Sequence, residues 1–238
     1  MMSNGHRIQW IAGFLAAAAL LGLVISATLS VAADGNQSAD GDNGKQPAKF
    51  PELPEGHEIA TIAGGCFWCV EEVIRQQEGV LAVLSGYSGG KEETANYRMV
   101  SKGLTRHAEA LHVYYDPNII DYDGILEALW DSHDPTQLNR QGNDVGPQYR
   151  SAIFYHDESQ KQKAEASIRR VNESGKYAKP VVTELVAFEK FYPAENYHQD
   201  FFELNPNNPY CNSVLVPKLK KLGLDYPGKP KPEEPAKQ

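Results

Sequence analysis

Two cysteines three residues apart in Gly64-Gly65-Cys66-Phe67-Trp68-Cys69, and a third far along the chain at Cys211, are the side chains best suited to chemistry. Three is an odd number and too few for a disulfide scaffold in a chain of 238 residues, so redox or metal chemistry is the reading to weigh. The two glycines let the backbone turn sharply out of a preceding strand and set Cys66 at the first turn of a helix. Free N–H groups and the helix dipole favour an anion there. A thiol so placed is expected to ionise easily, the usual form of a reactive cysteine. The C-x-x-C spacing also admits thioredoxin-like exchange, although there an aromatic ordinarily precedes the first cysteine, whereas Phe67 and Trp68 lie between the two. A structural zinc site would need further ligands, and the chain offers only Cys211 and scattered histidines.

The chain that must hold these thiols reads as interleaved strands and helices. Glu58 to Ala63 runs apolar and alternating as a strand, Gly64-Gly65 break it, and a helix follows from Cys66 to about Gln77. Val80 to Ser88 and Ala110 to Tyr115 are predicted strands, and Asp121 to Ser132 a predicted helix with Ile125, Leu126, Leu129 and Trp130 on one face. Tyr149 to Tyr155 is a further strand, Glu158 to Glu173 a polar surface helix, and Val181 to Phe188 another strand. Some connections are too short for crossovers, so a two-layer arrangement follows, a mixed sheet with helices packed on it. From Pro193 onward turn residues dominate, which predicts an irregular C-terminal stretch wrapping over the sheet.

This core spans residues 50–226. Ahead of it, His6 and Arg7 precede an apolar run of 19 residues, Ile11 to Leu29, whose only polar members are Ser26 and Thr28. Small residues follow at Val31 and Ala33. Residues 1–33 are therefore expected to be a signal peptide or a membrane anchor, and the protein to be exported and periplasmic, extracytoplasmic or tethered. Residues 34–49 are polar and read as a disordered linker, and residues 227–238, rich in proline and lysine, as a disordered tail. With 23 Lys and Arg against 31 Asp and Glu, a net charge of −8 and no basic patch, the composition argues against a nucleic-acid partner.

Other short blocks accompany the cysteines. Gly65-Cys66-Phe67-Trp68 is followed by Gly86-Tyr87-Ser88-Gly89-Gly90, Asn96-Tyr97-Arg98, His107-Ala108-Glu109-Ala110 and His133-Asp134-Pro135-Thr136-Gln137. Then come Asn139-Arg140-Gln141-Gly142-Asn143-Asp144, Gln148-Tyr149-Arg150-Ser151-Ala152-Ile153 and Tyr197-His198-Gln199-Asp200. In this order, from Gly65 to Asp200, the set resembles the peptide methionine sulfoxide reductase A family. The resemblance implies reduction of the S-epimer of methionine sulfoxide, free or in oxidised proteins. Electrons would come from thioredoxin or another dithiol, with no bound cofactor or metal. It also implies an α+β fold with a ferredoxin-like core, and the chain is expected to act as a monomer.

A thiolate can attack the polarised sulfur of a sulfoxide, but the oxygen leaves badly unless an acid protonates it. By resemblance Cys66 is the nucleophile and Glu109 that acid, which acts near neutrality only if desolvation raises its pKa. Tyr97 and Tyr149 match the family tyrosines that hold the oxygen and share in proton delivery, and Asp144 the carboxylate beside them. Phe67 and Trp68 match the aromatic wall that takes the substrate's methyl group, and His198 is a further substrate-side candidate. Without the resemblance, Tyr97 and Tyr149 would read as packing, Glu109 as a solvated face, Asp144 as a turn residue and His198 as a helix-surface histidine.

The family most often has glycine where this chain has Cys69. Catalysis leaves Cys66 as a sulfenic acid, which another thiol must resolve before a dithiol reductant can act. Cys211, among Asn207, Asn208, Pro209 and Tyr210 in what reads as a mobile stretch, is the favoured resolving thiol. Cys69, three residues on along a helix, is also within disulfide reach. A rival from another class is a non-catalytic module that binds oxidised methionine; it could lose Cys66 or Glu109, and both are present.

Overall fold

The computed structural model describes residues 46–227 and residue 229. The expected leader, most of the expected linker and most of the expected tail lie outside the described residues. In chain order the elements are β1 (Glu58–Gly64), α1 (Phe67–Arg75), β2 (Val80–Ser88), α2 (Tyr97–Val100), β3 (Ala108–Tyr115), α3 (Tyr122–Ser132), β4 (Arg140–Gln141) and β5 (Asp144–Val145). They continue with β6 (Ser151–Tyr155), α4 (Glu158–Glu173), β7 (Glu184–Ala187), β8 (Phe191–Pro193), α5 (Phe201–Leu204) and α6 (Pro209–Leu222). Among the described residues no helix is long and apolar enough to cross a membrane.

The main sheet has the order β7-β6-β1-β3-β2-β8. Its inner four strands, β6-β1-β3-β2, are antiparallel neighbours, the ferredoxin-like arrangement expected. β7 lies parallel to β6 and β8 antiparallel to β2, so the sheet is mixed. β3 is buried along its whole length, and its side chains alternate between two apolar clusters. Leu111, Val113 and Tyr115 join the cluster that receives the helices through Val70, Ile74, Ile125, Leu129 and Leu215, while Ala108, Ala110 and Tyr114 join the other. Glu109 has the parity of Leu111, so the strand delivers a carboxyl to the helix side of the sheet.

The C-terminal stretch is more regular than its turn residues suggest. Pro209 occupies the start of α6, where its missing N–H costs nothing, and Gly223 closes the helix at φ 72°. Just ahead of Pro209 the Asn208 side chain accepts from the N–H groups of Tyr210 and Cys211, so a loop-like composition encodes a 14-residue helix. Cys211 is therefore not in a mobile stretch: with Leu215 and Leu219 it forms the buried face of α6. The end of the expected linker is also held. The Ala48 N–H donates to Ala194 O and the Asn196 N–H to Gln46 O, both at 2.9 Å, bridging Pro47 to Glu195. Backbone pairing holds this segment, and composition does not report backbone pairing.

Candidate active site

β1 ends at Gly64, and Gly65 turns the chain at φ +108°, where a Cβ would stand 2.8 Å from the Gln141 side chain. The turn sets Cys66 at the N-cap of α1, one residue ahead of the expected first turn. The adjacent free N–H, that of Phe67, donates to Glu109 Oε2 at 3.1 Å. The helix end expected to stabilise a Cys66 thiolate is thus occupied by a carboxyl. The Cys66 thiol is pushed well above the ordinary range by its hydrogen bond with Cys69, by burial and by the charges of Cys69 and Glu109. Cys69 moves the other way, pulled down by the same hydrogen bond and by Lys218 against its own burial. The neighbouring Cys69, burial and Glu109 thus oppose the easy ionisation expected of Cys66, and the two buried thiols titrate as a pair.

Glu109 is 2% exposed, and burial pushes its carboxyl up to about 8, helped by the charges of Asp144 and Cys69 and opposed by the Phe67 N–H. It holds its proton at neutrality. Tyr97 opens α2, which the Asn96 side chain caps by accepting from Met99 N at 3.1 Å. Tyr149 ends a 3₁₀ turn, Pro147–Tyr149, ahead of β6 rather than inside a strand. Arg150 pins that turn, donating to Glu184 Oε2 at 2.8 Å and to the carbonyls of Pro147 and Arg106. Both tyrosines are raised by burial and then by the charges of Glu109 and Cys66, which gathers all four groups at one point. Among the described residues neither tyrosine hydroxyl has a hydrogen-bond partner.

Asp144 stands on the β4–β5 hairpin, and the blocks before it build its support. Asp134 Oδ1 accepts from Thr136 N at 3.0 Å and Thr136 Oγ1 at 2.7 Å, and Oδ2 accepts from Gln137 Nε2 at 2.9 Å. Gln137 Oε1 accepts from Gly142 N at 2.8 Å, and the Gln141 amide bonds both backbone groups of Asp134. Asp144 Oδ2 then accepts from the Tyr210 hydroxyl, whose oxygen takes the Cys69 thiol at 4.0 Å.

Of the aromatic pair, Phe67 is buried against Tyr87 and His198, with ring centroids at 6.0 and 5.1 Å. Trp68 is half-buried and stacks on Phe201 at 3.7 Å. Its Nε1–H donates to His198 Nδ1 at 3.2 Å. His198 is fully buried rather than on a helix surface, and burial takes its pKa down to about 4, so it stays neutral and accepts at Nδ1. Its ring also lies 4.4 Å from that of Tyr97, so it backs both Trp68 and Tyr97.

Three residues were not singled out in the sequence. Glu195 accepts from the Tyr87 hydroxyl and the Tyr97 N–H, each at 2.9 Å, and so orients α2; its nearness to the Tyr197-His198 block is the signal that could have found it. Tyr210 and Lys218 both come from α6 and were legible only to a reader who expected a helix there. With Cys66, Cys69, Asp144 and Ser213 they line a cavity of about 480 Å³. Cys211 sits behind Cys69: burial and the Cys69 charge push its thiol up to about 12.

One sulfur attacks and a neighbouring acid assists in such a site, the chemistry of a thiol oxidoreductase acting on a bond whose leaving atom needs a proton. The family model described as peptide methionine sulfoxide reductase matches residues 58–227. The peptide methionine sulfoxide reductase MsrA of Sulfolobus acidocaldarius is 50% identical over 172 residues, covering 72% of this chain and 97% of the relative. That of Thermus thermophilus is 49% identical over 169 residues, covering 71% and 94%. Among solved structures, methionine sulfoxide reductase A of Corynebacterium diphtheriae matches with TM-score 0.61 at 32% identity, covering 64% of this chain and 77% of that one. Mxr1 of Saccharomyces cerevisiae in reduced form gives 0.62 at 30%, covering 66% and 91%. The chain belongs to the peptide methionine sulfoxide reductase family. It is an oxidoreductase that reduces methionine sulfoxide by thiol chemistry.

Proposed function

We propose that the chain reduces the S-epimer of methionine sulfoxide, free or in proteins, in two thiol stages, with thioredoxin or a similar dithiol as external reductant and no bound cofactor. The observation that carries the first stage is Glu109, protonated by burial and bonded to the N–H beside Cys66. Cys66 Sγ attacks the sulfoxide sulfur as its proton passes to the neighbouring Cys69 in its thiolate form, the thiol of the pair that is drawn down, so that Cys69 enters the second stage as a thiol. Glu109 protonates the oxygen, which Tyr97 and Tyr149 hold through their unpartnered hydroxyls. Trp68 and Phe67 supply the apolar side for the methyl group. The oxygen ends on Cys66 as a sulfenic acid, the substrate sulfur gains two electrons, and methionine leaves.

In the second stage Cys69 forms a disulfide with Cys66 and releases water, and Cys211 then attacks Cys69 to free Cys66. This order revises the expectation that Cys211 resolves first, and it is supported by Cys69 lining the same cavity as Cys66, whereas Cys211 is not among the lining residues and lies buried near Cys69. The run Ile11 to Leu29 supports an enzyme exported from the cytoplasm or tethered by residues 1–33; action as a monomer on oxidised proteins is part of the same proposal. The test is a reductase assay on the separate sulfoxide epimers. Consumption of the S-epimer alone, abolished by Cys66→Ser, is the expected result; equal consumption of both, or a fully active Cys66→Ser, would overturn the reading.

A further inference from the structure

Cys69 is faced by Cys66 from the N-cap of α1, Glu109 from β3, Asp144 from β5, and Tyr210, Cys211 and Lys218 from α6. Five of these are acids or thiols and phenols, and Lys218 is the cation among them. Its place is directed. Lys220 and Lys221 on the same helix are exposed, whereas Lys218 is half-buried, lines the cavity with Cys66, Cys69 and Asp144, and donates from Nζ to Ser132 O at the C-terminal end of α3. Carbonyls at a helix C-terminus hold an ammonium well. Taking a charge partly out of water has a cost, so a lysine turned inward beside two thiols calls for a reason that an exposed one does not.

We propose that Lys218 is a positioning residue for the resolution step, holding its ammonium beside Cys69 so that this thiol, and not Cys211, attacks the Cys66 sulfenic acid. The inference rests on the reading of Cys69 as the resolving thiol. In the step, the Cys69 thiol loses its proton to the Tyr210 oxygen while the Tyr210 proton passes to Asp144 Oδ2, along the hydrogen bonds already present. The Cys69 thiolate forms the S–S bond with Cys66 Sγ, the Cys66 S–O bond breaks, and the departing hydroxide takes a proton from Asp144 and leaves as water. Cys66 is reduced from sulfenic acid to disulfide and Cys69 oxidised from thiol to disulfide. The electrostatics agree in both directions: Lys218 draws the Cys69 thiol down, and the charges of Cys69, Cys66 and Asp144 support the Lys218 ammonium against burial.

The test has two arms. In a Cys66→Ser, Cys211→Ser background Cys69 is the sole thiol, and its alkylation rate against pH reports its titration. Lys218→Met should move that profile up by about 1 unit or more, the size of a lost opposite charge, and Lys218→Arg should restore it. In a Cys211→Ser background given one equivalent of sulfoxide, Lys218→Met should slow Cys66–Cys69 disulfide formation about tenfold at neutral pH, with recovery as the pH is raised. A merely structural lysine would lower the melting temperature and leave the alkylation profile where it was. A Cys66–Cys69 disulfide in the Cys211→Ser background, and Cys69–Cys211 in the wild type, together with an unshifted Lys218→Met profile overturns the role of Lys218 alone. A wild-type Cys66–Cys211 disulfide with Cys69 alkylated removes the reading of Cys69, and the proposal with it.

Discussion

Glu109 carries at neutrality the proton that a sulfoxide oxygen needs, and desolvation is the leading reason. The single-turnover rate of methionine release should therefore hold up to about pH 8 and fall above it, as the acid ionises. Glu109→Gln keeps an acceptor for the Phe67 N–H but has no proton to give. A loss of about 100- to 10,000-fold in that rate is the expected outcome, with the alkaline fall removed. A Glu109→Gln enzyme that kept both rate and profile would exclude the residue from proton delivery. Legibility at this scale was uneven. The alternation of Ala108 to Tyr115 already contains the burial of Glu109, because its parity matches Leu111 and Val113, yet a glutamate by itself argues for solvent and only the resemblance outweighed it. Trp68 with His198 and Cys69 with Lys218 are contacts across 130 and 149 residues of chain, and no local periodicity encodes them.

Elements with long, clean periodicity were readable almost to the residue: β2 and α4 have the boundaries expected, and α3 begins one residue after the Asp121 that caps it. α6 was not, because Asn207, Asn208 and Pro209 ahead of it and Pro217 inside it carry the composition of a loop. Its start depends on one side chain. Asn208 Oδ1 takes the N–H groups of Tyr210 and Cys211 at 3.0 and 3.2 Å, so Asn208→Ala should cost about 1 kcal/mol and lower the melting temperature by a few degrees. An unchanged transition by calorimetry would mean that packing of Leu215 and Leu219, not the cap, fixes the helix.

Across the molecule, Glu71 joins α1, β2 and the C-terminal segment by accepting from Ser85 Oγ and the Asp200 N–H, each at 3.2 Å. Burial lifts its carboxyl from 4.5 to about 8, so the folded chain keeps a proton that the unfolded chain releases. Its contribution is fully present below pH 4.5 and is lost as pH rises towards 8, on the order of a few kcal/mol in all. Glu71→Gln, which resembles the neutral acid, should flatten the fall in melting temperature across that window. His112 and His133 act in the opposite sense: burial takes them down to about 3 and about 4, so their contribution is full above 6.5 and lost as pH falls. Burial has one more consequence, and it concerns time. Cys66, Cys69 and Cys211 are 8%, 4% and 0% exposed, so a side-chain sulfoxide reaches sulfur through the cavity while a protein-sized reductant does not. Pro217 leaves α6, the helix that carries Cys211, short of one rung of its own ladder. Recycling by such a reductant is therefore expected to reach a ceiling set by opening of α6, whatever the reductant concentration. Amide hydrogen exchange along α6 should rise and fall with the recycling rate across variants, and Asn208→Ala, the less stable enzyme, should be the faster one to recharge.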